Sequence, residues 1–105
     1  MQFSTLSPQI RKFFDEFFRK LGELTLEESI RYIRSKEREI HNCLLILESQ
    51  QEQIKIRWMS QNNEPRREEY LQADLENLNE QYKHIILSNP SLDKFMEAMS
   101  IICAV

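Results

Sequence analysis

The strongest constraint on the fold is a heptad pattern that begins at Leu26 and continues to Trp58. Ten positions in this segment alternate spacings of four and three residues, and eight of them are apolar. They are Leu26, Ile30, Ile33, Glu37, Ile40, Leu44, Leu47, Gln51, Ile54 and Trp58. Sustained alternation of this kind is typical of a coiled-coil seam, along which one edge of a long helix packs against another helix. The sequence therefore predicts a helix over about 26–61, with a length of roughly 54 Å.

A second seam follows a polar turn at 61–64. Pro65 and the acidic Glu68 after it are typical of the start of a helix. The seam positions beyond them are Leu71, Leu75, Leu78, Tyr82 and Ile85. Pro90 should break or kink this helix because proline lacks an N–H donor and disfavours helical geometry at the preceding residue. Since the heptad resumes in phase after Pro90, we expect one kinked helix over 65–103.

The two seams predict the register of an antiparallel hairpin about the 61–64 turn. The facing pairs are then Ile54 with Leu71, Gln51 with Leu75, Leu47 with Leu78, Leu44 with Tyr82, and Ile40 with Ile85. The same register places Glu37 beside Pro90, where we expect its carboxylate to meet the next helix N-terminus or a neighbouring basic residue. The alternatives are that Glu37 turns out to solvent and that the long helices pair between molecules.

A shorter helix comes first in the chain. Ser7 is a suitable N-cap, Pro8 suits the first helical position and Gly22 suits the residue after the end, so we expect a helix over 8–21. A T-x-x-E capping box at 25–28 then begins the next helix. One face of the first helix is apolar, through Ile10, Phe13, Phe14, Phe17, Phe18 and Leu21. The short connection predicts that this face covers the open end of the hairpin.

The phenylalanine face also has an alternative interpretation. An amphipathic helix with phenylalanine on one side and basic residues on the other can lie in a membrane interface. The residues of that alternative membrane face are Phe13, Phe14, Phe17 and Phe18. Acidic residues are mixed with the basic ones on the polar side, which favours the core over the membrane.

Composition argues against several classes of function. A single glycine among 105 residues excludes a glycine-rich phosphate loop, and a net charge of −3 is unlike a duplex nucleic-acid binder, so no nucleic acid is expected. His41 and Cys43 are two residues apart on a helix and point in different directions, which is poor geometry for a metal. No nucleophile elbow, HExxH or CxxC occurs. We expect no enzyme, no metal and no cofactor.

A further set of apolar residues lies outside both seams. We predict a partner or dimer interface from Leu45, Ile46, Ile56, Met59, Tyr70 and Ile86, with Ala73 and Leu87 placed similarly. A two-helix hairpin has no intramolecular partner for these residues, so a second copy or another helical protein would cover them. The alternative is ordinary scattered exposure.

Together these features predict an all-α fold: a coiled-coil-like antiparallel hairpin with an additional N-terminal amphipathic helix and a Pro-kinked C-terminal helix, locally a three-helix bundle. We expect one domain over 1–105, and the apolar end at 100–105 indicates a fragment of a longer chain. The predicted function is a non-catalytic interaction or assembly module, a scaffold or adaptor that forms a homodimer or joins a helical partner. The alternative is a peripheral membrane protein. Two cysteines on apolar stretches favour a reducing compartment, the cytoplasm or the nucleus.

Overall fold

The computed structural model describes residues 5–104, and all regular structure in that range is α-helical. The helices are α1 (Pro8–Glu23), α2 (Leu26–Ser35), α3 (Glu37–Met59), α4 (Arg67–Leu87) and α5 (Leu92–Cys103). They form an elongated body of 55 × 24 × 22 Å. The predicted all-α class is confirmed. Residues 1–4 and 105 of the predicted domain lie outside the described residues.

Helix α1 begins where the sequence predicts and ends later. The Ser7 hydroxyl accepts a hydrogen bond from the Gln9 N–H at 3.2 Å, and Pro8 is the first helical residue. Gly22 does not end the helix in a left-handed conformation, because none of the described residues has a positive φ. It lies within the last turn instead, where a Cβ atom would come within 2.9 Å of the Ser91 hydroxyl. The glycine therefore permits a close approach to the start of α5.

The predicted helix over 26–61 is wrong in one respect, because it breaks at Lys36. This residue has φ −104° and ψ 2°, and its N–H donates to the Ile33 carbonyl at 3.0 Å. Helix α2 packs against α5, whereas α3 packs against α4. The second long segment is also divided, into α4 and α5, at Pro90. The break at Lys36 therefore lets α2 pack along α5 while α3 packs along α4.

The break explains the position of Glu37. This residue is the first of α3 and is exposed, so its charge lies at the positive end of its own helix. The expected contact with the N-terminus of α5 is absent, since Glu37 makes no side-chain hydrogen bond or ion pair among the described residues and the Ser91 N–H donates to the Asn89 side chain instead. The solvent-exposed alternative is the one observed.

The hairpin of α3 and α4 keeps part of the predicted register. Leu47 and Leu78 are buried, as the seams predict. However, the Gln51 amide donates to the Asn79 side-chain oxygen at 2.9 Å. Asn79 lies one helical turn beyond Leu75, the predicted partner of Gln51. The polar end of Gln51 therefore reaches a residue of α4 beside the seam rather than an apolar seam position.

The phenylalanine face of α1 forms the centre of the core. Ring centroids of Phe14 and Tyr82 are 5.9 Å apart, and those of Phe17 and Phe95 are also 5.9 Å apart. Phe17 further stacks on Tyr32 at 5.5 Å. These contacts join α1 to α4, α5 and α2, so the predicted covering of the hairpin is confirmed.

Two glutamines attach the segment before α1 to the hairpin. The Gln50 side chain accepts a hydrogen bond from the Ser7 N–H at 3.0 Å and donates to the Thr5 carbonyl at 2.9 Å. The Gln81 side chain accepts from the Leu6 N–H at 3.1 Å. Leu6 itself is fully buried. The seams do not predict this contact, because both glutamines have a polar side chain that sequence pattern alone assigns to solvent.

Candidate interaction surface

The α3 outer face is the side of α3 that points away from the core. It consists of Leu45, Ser49, Glu52, Ile56 and Met59. Three of these residues are apolar and strongly exposed: Leu45 is 49% exposed, Ile56 63% and Met59 60%. They lie on the opposite side of the helix from Leu47 and Ile54, which are buried. No helix of the described chain covers the α3 outer face.

The middle of the α3 outer face is polar. Ser49 and Glu52 are exposed and separate Leu45 from the other two apolar residues. Glu48 and Lys55 lie on one flank and are also exposed. Within residues 5–104, none of these charged groups takes part in an ion pair. The sequence-predicted apolar surface is therefore two apolar ends with a charged centre.

The other three predicted interface residues have contacts within the chain, although Tyr70 is still 38% exposed. Ile46 and Ile86 are half-buried against the core. Tyr70 packs on Trp58 with ring centroids 5.2 Å apart, and the Arg66 guanidinium lies 5.7 Å from the Tyr70 ring. These side chains already have intramolecular partners, which the seam positions alone do not reveal.

The alternative membrane face is largely occupied by the core. Phe14, Phe17 and Phe18 are buried, and Phe13 is half-buried. A membrane would meet the three buried rings only if α1 left the bundle. This burial argues against the membrane alternative.

An apolar groove lies between α3 and α5, and sequence reasoning missed it. Its volume is about 220 Å³, and its walls include Ile40 and Leu44 of α3 and Phe95, Met99 and Ile102 of α5. The seam prediction that buries Leu44 against α4 is wrong, because Leu44 is 40% exposed beside this groove. The spacing of apolar residues in α5 predicts the wall that α5 provides. The position of the α3 wall depends on the break between α2 and α3 at Lys36, and no local sequence signal predicts that break.

A second cleft of about 270 Å³ lies between α1 and α3 and contains Cys43. Burial raises the pKa of the Cys43 thiol, and the nearby Glu39 carboxylate raises this pKa further. The thiol is therefore protonated at neutral pH, which makes it a poor nucleophile and a poor metal ligand. Among the described residues there is no group of three or more His, Cys, Asp or Glu side chains that could hold a metal ion.

Two further findings concern the whole described chain. None of its helices has the length and apolar character needed to cross a membrane. No protein-family model, no curated protein and no solved structure matches the sequence.

Proposed function

We propose that this chain is a non-catalytic protein–protein interaction module that self-associates through helical packing. The observation that carries the proposal is the exposure of Leu45, Ile56 and Met59 on the side of α3 opposite the core. The favoured product is a homodimer, and the same face would serve a helical partner subunit in a larger assembly.

The physical support is the free energy of burying apolar surface. Moving apolar area out of water contributes about 25 cal/mol per Å². A second hairpin laid against α3 would bury these side chains and complete a four-helix arrangement. Tyr70 and Ile86, which also belong to the sequence-predicted interface, would contribute at most the edges that their intramolecular contacts leave open.

The proposed location is a reducing compartment, the cytoplasm or the nucleus. Cys43 and Cys103 are both free thiols in the described chain. A buried thiol such as Cys43 behaves as a small apolar side chain, which suits a compartment where disulfides do not form.

The experiment measures molar mass by light scattering after size exclusion, across a range of protein concentration. We expect the mass to rise from 12.7 kDa towards twice that value. The variant Ile56→Glu with Met59→Glu should remain monomeric, because a charge placed in an apolar contact costs on the order of several kcal/mol.

Leu87→Glu is the matched control. Leu87 is 63% exposed, like Ile56, but it lies on α4 and away from the α3 outer face. This variant should associate as the unmodified chain does. A monomer at about 100 μM, where a micromolar contact would be saturated, contradicts the proposal. Equal association of all three proteins contradicts the assignment to α3.

A further inference from the structure

The residues of the α3 outer face have the spacing of a second coiled-coil seam. Leu45, Ser49, Glu52, Ile56 and Met59 are separated by four, three, four and three residues. Positions with this alternation lie along one edge of a helix and can pack against a matching edge. Helix α3 therefore has two seams, an inner one against α4 and an outer one without a partner in the described chain.

We propose that the outer seam binds the same seam of a second copy of this chain in the antiparallel direction, with Leu45 of each copy against Ile56 of the other. This inference rests on the proposed self-association and specifies its geometry. In this register Ser49 faces the partner's Glu52, so the polar centre meets a polar centre. The serine hydroxyl can donate to the glutamate carboxylate there, and the Leu45–Ile56 contacts on either side are apolar, whereas Met59 lies beside the partner's Asn42.

The charges beside the seam favour the antiparallel direction. Glu48 and Lys55 each immediately precede a seam residue and are seven residues apart, so they lie on the same flank of α3. When two helices pair antiparallel, a given flank faces the same flank of the partner. Glu48 then faces the partner's Lys55, and the two-fold symmetry repeats this ion pair.

A parallel pair lacks this complementarity. It would set Glu52 against the partner's Glu52 in the seam, where like charges repel. The flank of Glu48 and Lys55 would face the opposite flank, which contains the uncharged Gln53. Exposed ion pairs stabilise weakly, so we expect them to decide orientation and register more than affinity.

Charge exchange tests the register. Glu48→Lys and Lys55→Glu should each weaken the dimer by about 3- to 10-fold, because each change sets like charges opposite one another. The combined variant Glu48→Lys with Lys55→Glu should return the dissociation constant to within about two-fold of the original. Glu97→Lys is the control, since Glu97 is an exposed glutamate on α5. It makes the same change in net charge as Glu48→Lys, but away from the seam.

Cysteine cross-linking tests the geometry independently. In a Cys103→Ser background, chains with Leu45→Cys are mixed with chains carrying Ile56→Cys and oxidised mildly. We expect a disulfide between the two kinds of chain. Leu45→Cys alone should not link to itself, because antiparallel pairing separates the two copies of this position by about 16 Å along the helix axis. Circular dichroism verifies that every variant remains helical.

The outcomes separate this inference from the proposed function. If the unmodified chain stays monomeric at all concentrations, both are wrong. If it dimerises but the combined charge exchange does not restore the dissociation constant, the antiparallel seam is wrong and self-association stands. The same conclusion follows if Leu45→Cys links readily to itself. A restored dissociation constant in the combined variant, together with the mixed disulfide, supports the antiparallel seam.

Discussion

Lys94→Met removes an ammonium group that joins α5 to the end of α1. The Lys94 Nζ donates hydrogen bonds to the carbonyls of Leu21 at 3.1 Å, Gly22 at 3.3 Å and Leu24 at 2.5 Å. These carbonyls belong to the last turn of α1 and the residue after it, where helical partners are lacking and the helix dipole is negative. Methionine retains most of the aliphatic stem, so the change removes the charge and the three donors while keeping most of the packing.

The expected loss of stability follows from these contacts. Hydrogen bonds to a charged group contribute about 1.5–3 kcal/mol, and a cation at a helix C-terminus adds about 0.3–1 kcal/mol. The three bonds share one ammonium group that is partly exposed, so their contributions do not add fully. We expect a total loss of about 2 kcal/mol, which lowers the melting temperature of a domain this size by roughly 8–16 °C.

Thermal and urea denaturation followed by circular dichroism measure the effect. Lys83→Met is the matched control, because Lys83 forms an exposed ion pair with Glu80 at 3.7 Å and should contribute less than about 1 kcal/mol. Lys94→Arg keeps the charge and should recover part of the stability. If Lys94→Met and Lys83→Met lower the melting temperature equally, Lys94 acts as an ordinary surface charge and the reasoning is refuted.

Three further predictions concern thiols, an indole and pH. Cys103 is exposed and should react at once with a thiol reagent, whereas buried Cys43 should react only as the chain opens; equal rates would contradict the packing of α1 on α3. Trp58→Phe removes the hydrogen bond from the indole N–H to the Asp74 carboxylate at 2.6 Å and should cost about 1–2 kcal/mol, visible as a lower urea midpoint; an unchanged midpoint would show that the bond contributes nothing. Burial raises the pKa of Cys43 and of Tyr82 above the pKa that each group has in the unfolded chain. The stability that each group provides is therefore complete below its unfolded pKa and is lost as pH rises through its folded pKa. Urea denaturation should therefore show stability falling from about pH 8.5 upward, and constant stability to about pH 10 would contradict this.

Local chemistry in the sequence was enough to place several helix ends. The Ser7 cap and Pro8 define the start of α1, and Thr25 with Glu28 forms the predicted capping box of α2. Pro90 separates α4 from α5 as expected. Each of these signals acts over a few residues, because a cap or a proline satisfies or removes a nearby backbone donor whatever the rest of the chain does. The phenylalanine face of α1 was predictable for a related reason, since six apolar residues on one stripe require a covering partner.

The candidate surface was predictable only in part. Leu45, Ile56 and Met59 are outside the inner seam of α3, so periodicity alone assigns them to the opposite side. The same argument assigned Ile46 and Tyr70 to that surface, but Ile46 is half-buried against the core and the Tyr70 ring packs on Trp58. Periodicity gives the direction of a side chain from its own helix and carries no information about which other helix lies there.

Tertiary structure decided the features that depend on more than one helix. The break at Lys36 carries no glycine or proline, and it arises where α2 follows α5 while α3 follows α4. The same division leaves Leu44 beside a groove. Gln51 pairs with Asn79 because an amide in a seam gains more from a hydrogen bond one turn away than from an apolar neighbour. Heptad spacing fixes which residues share an edge, whereas the bend and the register are settled by the packing of the whole bundle.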